Sequence, residues 1–157
     1  MSLENAKLYL QKFGFDKKIM LFDISSATVA LASLAVGVSP AQIAKSLTFL
    51  LDGKCIMILV AGDCKVDNRL YKDYFGKKAT MLTSQQVVEF TNHEIGGVCP
   101  FGIPSQISVY LDVSLKANQY VYPSCGTDNS AIKLTIDELE QLSNYTAWVD
   151  LTKKIVV

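Results

Sequence analysis

The chain has 157 residues, half of them hydrophobic and 19% charged, with 15 basic side chains balancing 15 acidic ones. That length supports a single domain, residues 1–157, with a full core, and the composition excludes a disordered or fibrous chain. Zero net charge argues against the broad basic footprint of a DNA-binding surface, yet leaves room for a local basic pocket that grips one phosphorylated end.

The predicted elements alternate along the chain. Ser2 is placed to cap a helix that carries Leu3, Ala6, Leu10 and Phe13 and stops at Gly14. Residues 18–23 read as a short strand. A helix of small residues follows, capped at Ser25 or Ser26 and closed by Gly37. Ser39 and Pro40 then open a further helical segment over 39–46, with proline at the first helical position. The clearest hairpin in the chain is 47–51, the turn Asp52-Gly53, and 54–62. Next come a helix from an Asp67 cap to Gly76, a strand over 78–82, and a helix capped at Thr83 or Ser84. Strands are expected over 107–112, 119–125 and 130–135. Thr135 and Glu138 form a capping box for the last helix, and 146–152 is a final strand. The hairpin makes part of the sheet antiparallel. The fold class is therefore α+β, or mixed α/β, with a strongly curved mixed sheet or partial barrel flanked by helices.

The N-terminal stretch has no basic region followed by an apolar core, and the apolar runs are too short to span a bilayer, so a cytoplasmic protein without a membrane partner is expected. The cysteines are Cys55, Cys64, Cys99 and Cys125, none in a C-x-x-C pair, and His93 is the single histidine. Nothing here has the paired spacing of a metal site, so neither a metal nor a cofactor is expected, and a chain of this size in a reducing compartment needs no disulfide. Cys55 reads as a buried strand residue. Tyr71, Tyr74 and Phe75 share a helical face and read as core.

Three places could carry chemistry. Lys45 stands where a helix hands over to a strand. Facing inward it would need an anion, and facing outward it is a solvated lysine near a helix C-terminus. The stretch Glu94–Pro104, "EIGGVCPFGIP", holds three glycines, two prolines and a cysteine. It reads either as a turn or as a wall whose exposed main chain approaches a ligand. The loop around Gly126, with Ser124, Cys125, Thr127, Asp128, Asn129 and Ser130, is either a solvated turn or a substrate-positioning loop. A Cys125–His93 nucleophile pair is a further option, although Cys125 has no evident activating base.

Taken in order, these motifs resemble the YbaK/EbsC family, the aminoacyl-tRNA deacylases related to the editing domain of bacterial prolyl-tRNA synthetases. The resemblance rests on Ile43, Lys45, Ser46, Leu47 and Phe49 before a hairpin ending in "VAGD". It continues through Gly96-Gly97-Val98-Cys99-Pro100-Phe101-Gly102, and through Ser124-Cys125-Gly126 ahead of "SAIKLTIDEL". It implies hydrolysis of the ester that joins a wrong amino acid to the 3′ end of tRNA, Cys- or Ala-tRNA(Pro) above all, in association with a prolyl-tRNA synthetase. Lys45 would anchor the terminal phosphate or adenosine, and the main chain of Gly96 and Gly97 would bind around the ester carbonyl. Ser25, Thr28, Ser46, Gly96, Val98, Cys99, Pro100, Ser124, Cys125 and Gly126 would form the substrate-binding surface. Two positions depart from the pattern: Cys99 replaces a serine, and Ala131 stands where cysteine-specific relatives carry aspartate. A non-catalytic binding or regulatory module of the same fold is the alternative, and a small-ester hydrolase using Cys125 and His93 is the third reading.

Overall fold

A computed structural model describes residues 2–155. Helix α1 (Ser2–Gln11) buries Ala6 and Leu10 and ends ahead of Gly14. A 3-10 turn over Asp16–Lys18 leads to strand β1 (Met20–Leu21). Helix α2 (Val29–Val36) follows, then a 3-10 turn (Pro40–Gln42) and strands β2 (Ile43–Leu51) and β3 (Lys54–Ala61). Strand β4 (Cys64–Val66), helix α3 (Asn68–Phe75) and helix α4 (Ser84–Thr91) complete the first half. The second half contains β5 (Ser108–Asp112), β6 (Tyr120–Pro123), β7 (Ser130–Ala131), β8 (Leu134–Thr135), α5 (Ile136–Ser143), β9 (Ala147–Val149) and β10 (Thr152–Lys154).

The principal sheet is mixed and six-stranded, in the order β8-β6-β2-β3-β5-β9. Its centre is the β2–β3 hairpin, where Asp52 (φ 53°) and Gly53 (φ 77°) make the left-handed two-residue turn that matches strand twist. Parallel pairings of β6 with β2, β5 with β3 and β9 with β5 extend the sheet on both sides. Two short antiparallel pairs, β1–β7 and β4–β10, form separate two-stranded sheets. This is the expected mixed α/β class, with the sheet curled into a half-barrel. The core side chains of β3, Met57 to Val60, are fully buried, as a central strand covered on both faces requires. Cys55 is buried in the same strand. Tyr71 is buried against Phe49 and Phe75, whereas Tyr74 on the same helix is 52% exposed.

Several local expectations shift. Thr28, not Ser25 or Ser26, caps α2, its hydroxyl accepting from the Leu31 N–H at 3.2 Å. Ser39 and Pro40 open only a 3-10 turn, so Lys45 lies inside β2 rather than at a helix end. The Ser2 hydroxyl, expected to cap α1, bonds His93 and the Glu94 N–H. Residues 78–82 form no strand. They run beside β2 through one bridge, Met81 to Phe49, and the Leu50 N–H bonding the Thr80 carbonyl at 2.8 Å. The expected strand 130–135 splits into β7 and β8, because its two halves pair with different partners.

Candidate active site

Beside the parallel junction of β2 and β6, a cavity of about 320 Å³ opens under the N-terminal end of α2. Strand β2 supplies Lys45, Ser46 and Leu47 to its wall, α2 and its cap supply Thr28, Val29 and Ala32, the two irregular loops supply Gly96, Val98 and Ser124, and β7 supplies Ser130. The alternation of β2 places Lys45 at its half-buried rim, opposite Val60 on β3. Among the described residues, no ion pair or hydrogen bond engages the Lys45 ammonium. Burial lowers its pKa from the ordinary lysine value, and the charges of Cys64 and Asp63 oppose that shift. An unpaired, partly desolvated ammonium in a concave site is a receptor for an anion. The hydroxyl of the next residue, Ser46, is buried and has no hydrogen-bond partner among the described residues.

The glycine-rich loops owe their shape to backbone-on-backbone packing. A Cβ at Gly97 would lie 2.3 Å from the Gly126 carbonyl carbon and from the Thr127 nitrogen, so only glycine fits. The Gly126 N–H donates to the Gly97 carbonyl at 3.0 Å and locks the two loops together. On the far side, a Cβ at Gly126 would meet the Ser2 carbonyl oxygen at 2.3 Å and one at Gly102 the Asn5 carbonyl oxygen at 2.4 Å. Helix α1 thus backs the site. The Ser130 hydroxyl accepts from the Cys125 N–H (3.1 Å) and the Thr127 N–H (3.3 Å), holding the second loop in place.

Of the residues predicted from sequence, the cavity gathers Lys45, Ser46, Thr28, Gly96, Val98 and Ser124. It does not include Ser25, Gly97, Cys99, Pro100, Cys125 or Gly126. Ser25 is exposed beside α2, accepting from the Ala27 N–H at 3.2 Å. The other five are buried behind the wall. Gly97's own N–H is occupied, bonding the Glu94 carbonyl at 3.0 Å. The two departures from the family pattern separate here. Ala131 lines the cavity, whereas Cys99 is wholly buried next to His93, with its sulfur 3.4 Å from Nε2. Of the wall residues Tyr122, Ser130 and Ala131, Tyr122 is not singled out by the sequence, whereas Ser130 belongs to the loop around Gly126 and Ala131 is the second departure from the family pattern. Only the pairing of β6 with β2 and of β7 with β1 brings them there.

His93 does not serve Cys125. Its Nε2 lies 2.7 Å from the Phe101 carbonyl, which can only accept, so the ring carries its proton on Nε2. Nδ1 then accepts the Ser2 hydroxyl proton at 2.7 Å. Burial lowers the His93 pKa, and burial raises the Cys125 thiol well above its ordinary value. Both groups are therefore held neutral in a structural network, outside the cavity. Among the described residues, no group of three or more His, Cys, Asp or Glu is arranged to hold a metal ion. No helix there is long and apolar enough to cross a membrane.

With this fold and this cavity in view, the chain belongs to the aminoacyl-tRNA editing domain family, whose model matches residues 25–142. It is 47% identical over 154 residues to YwhH of Bacillus subtilis (strain 168), covering 98% of each chain. It is also 30% identical over 97 residues to the proline–tRNA ligase of Bacillus cytotoxicus, covering 61% of this chain and 17% of the ligase. A solved structure described as a proposed trans-editing enzyme for prolyl tRNA synthetase superposes with a TM-score of 0.86 at 29% identity, covering 97% of both chains.

Proposed function

We propose that the protein is a free-standing trans-editing deacylase that hydrolyses the ester of mischarged tRNA, Cys- or Ala-tRNA(Pro), in the cytoplasm and alongside a prolyl-tRNA synthetase. The observation that carries this reading is the unpaired, half-buried Lys45 ammonium in a cavity walled by the two glycine-bearing loops. The ammonium offers a counter-charge to the phosphate-bearing 3′ end. A cavity at the small end of ligand sites suits a small amino acid and its ribose. Its polar side chains are Lys45, Thr28, Ser26, Ser46, Ser124, Ser130 and Tyr122, with neither imidazole nor carboxylate among them. Catalysis on this reading is positioning of the ester, with water or a substrate hydroxyl as nucleophile and main-chain and hydroxyl donors stabilising the developing oxyanion. Gly97, buried and internally bonded, shapes the loop that presents Gly96 and Val98.

One observation favours a non-catalytic binding module instead: of the Gly96-Gly97 main chain expected around the ester carbonyl, the Gly97 N–H already bonds the Glu94 carbonyl. A deacylation panel separates the two readings. Cys-, Ala- and Ser-tRNA(Pro) are incubated with the wild type and with Lys45→Ala. The deacylase reading expects at least one ester to be cleaved well above buffer, with a loss of ten-fold or more in Lys45→Ala, as roughly 1.4 kcal/mol from one charge-assisted contact gives. If no ester is cleaved above buffer, the binding module is the function.

A further inference from the structure

We propose that Lys154, on the last described strand, is a positioning residue for Lys45: it occupies the Asp63 carboxylate and so leaves the Lys45 ammonium free for an anionic ligand. The inference rests on the reading that Lys45 receives the phosphate-bearing end of tRNA. The β2–β3 ladder pairs Lys45 with Val60 and Ala44 with Ala61, so the turn that carries Asp63 begins at the end of the ladder where Lys45 sits. Burial lowers the Lys45 pKa, and Cys64 and then Asp63 are the groups that oppose it. The Cys64 thiol is pushed up by burial and by Asp63, which leaves Asp63 as the standing negative charge. Left alone, that carboxylate would draw Lys45 away from the cavity and compete with any phosphate.

Strand β10 prevents this. Its register against β4 sets Lys154 opposite Cys64, and the Lys154 ammonium donates to Asp63 Oδ2 at 2.6 Å. The Ile155 N–H donates to the Asp63 carbonyl at 2.9 Å, so the acid is held through side chain and main chain. The strand is itself fastened by buried Asp112, which accepts from the Leu151 N–H and the Thr152 hydroxyl, each at 2.8 Å. The strand that carries the clamp is therefore part of the fold, although the Lys154–Asp63 pair itself lies at the surface.

The test uses the whole chain as wild type, Lys154→Gln, Lys154→Arg, and Lys154→Gln combined with Asp63→Asn. Lys154 is 71% exposed, so the substitutions leave the core intact. After reductive ¹³C-dimethylation, NMR follows the Lys45 amine through a pH titration, its signal assigned by loss in Lys45→Arg. Lys154→Gln is expected to move the Lys45 midpoint up by about half a pH unit, the size of effect that one unneutralised charge has near water. Lys154→Arg should keep the wild-type midpoint, and the double variant should return to it or fall below. With the tRNA ester that the wild type cleaves, Lys154→Gln should raise KM ~3-fold with kcat kept, and the double variant should restore KM. An unmoved midpoint in Lys154→Gln overturns the clamp. So does a KM defect that persists in the double variant, which would make Lys154 a direct tRNA contact. If the wild type cleaves no ester, the deacylase reading fails by itself and the amine titration still decides the clamp.

Discussion

Replacing Gly97 by alanine tests whether the two loops form one rigid wall. The added Cβ would sit 2.3 Å from the Gly126 carbonyl carbon and the Thr127 nitrogen and 2.5 Å from the Gly126 oxygen. All three are backbone atoms, and ordinary contact begins near 3.4 Å, so the loops must part by about 1 Å. Overpacking of this kind costs about 1–3 kcal/mol. Parting the loops also breaks the 3.0 Å bond from the Gly126 N–H to the Gly97 carbonyl, worth about 1 kcal/mol. A total of roughly 2–4 kcal/mol lowers the Tm of a domain this size by about 5–15 °C. Circular-dichroism melts of Gly97→Ala read that drop directly. Gly14→Ala is the control, because nothing lies within 4 Å of a Cβ there and only its left-handed φ of +78° is strained, a cost of about 1 kcal/mol. A Gly97→Ala protein that melts within 2 °C of wild type, on the order of a 1 kcal/mol effect, would refute the packing argument. So would unchanged hydrogen exchange at the Gly126 N–H.

Acid should weaken the fold through His93. Its folded-state pKa is lowered from the ordinary 6.5 by burial, so its contribution is fully present above pH 6.5 and is lost as pH falls through the folded value. Melts between pH 8 and 5 should show Tm declining on the acid side, more steeply in wild type than in His93→Gln; equal slopes would remove His93 from the account. The thiols should be inert in the native state. Cys99 is pushed up to about 12 and Cys55 to about 11 by burial, so at pH 8 iodoacetamide followed by mass spectrometry should find both unlabelled until denaturant is added. Rapid native labelling of Cys99 would place it on an open surface, contrary to its burial.

Much of the local architecture was legible because its causes act within a few residues. Asp52-Gly53 specifies a hairpin turn by backbone conformation alone. Asp67, Thr83 and Thr135 each cap a helix with a side chain reaching N–H groups no more than three residues away. The motif around Lys45 and the glycine-rich stretch could likewise be read from residue type and order, which sufficed to indicate the family.

The remainder depends on contacts between segments far apart in the chain, which local rules do not encode. Gly97 was expected to face a ligand and instead faces Gly126, because the close approach it permits is to another loop. Cys99 read as a departure at the substrate surface, yet it is packed against His93, while Ala131 is the departure that reaches the cavity. Ser2 satisfied every local criterion of a helix cap and was captured by an imidazole 91 residues away. Sequence by itself determined the hairpin, the caps at Asp67, Thr83 and Thr135, and the motifs that indicate the family. Tertiary structure decided what surrounds Lys45, because the pairing of β6 with β2 brings Tyr122 to the same cavity wall, a contact between distant segments that local rules do not encode.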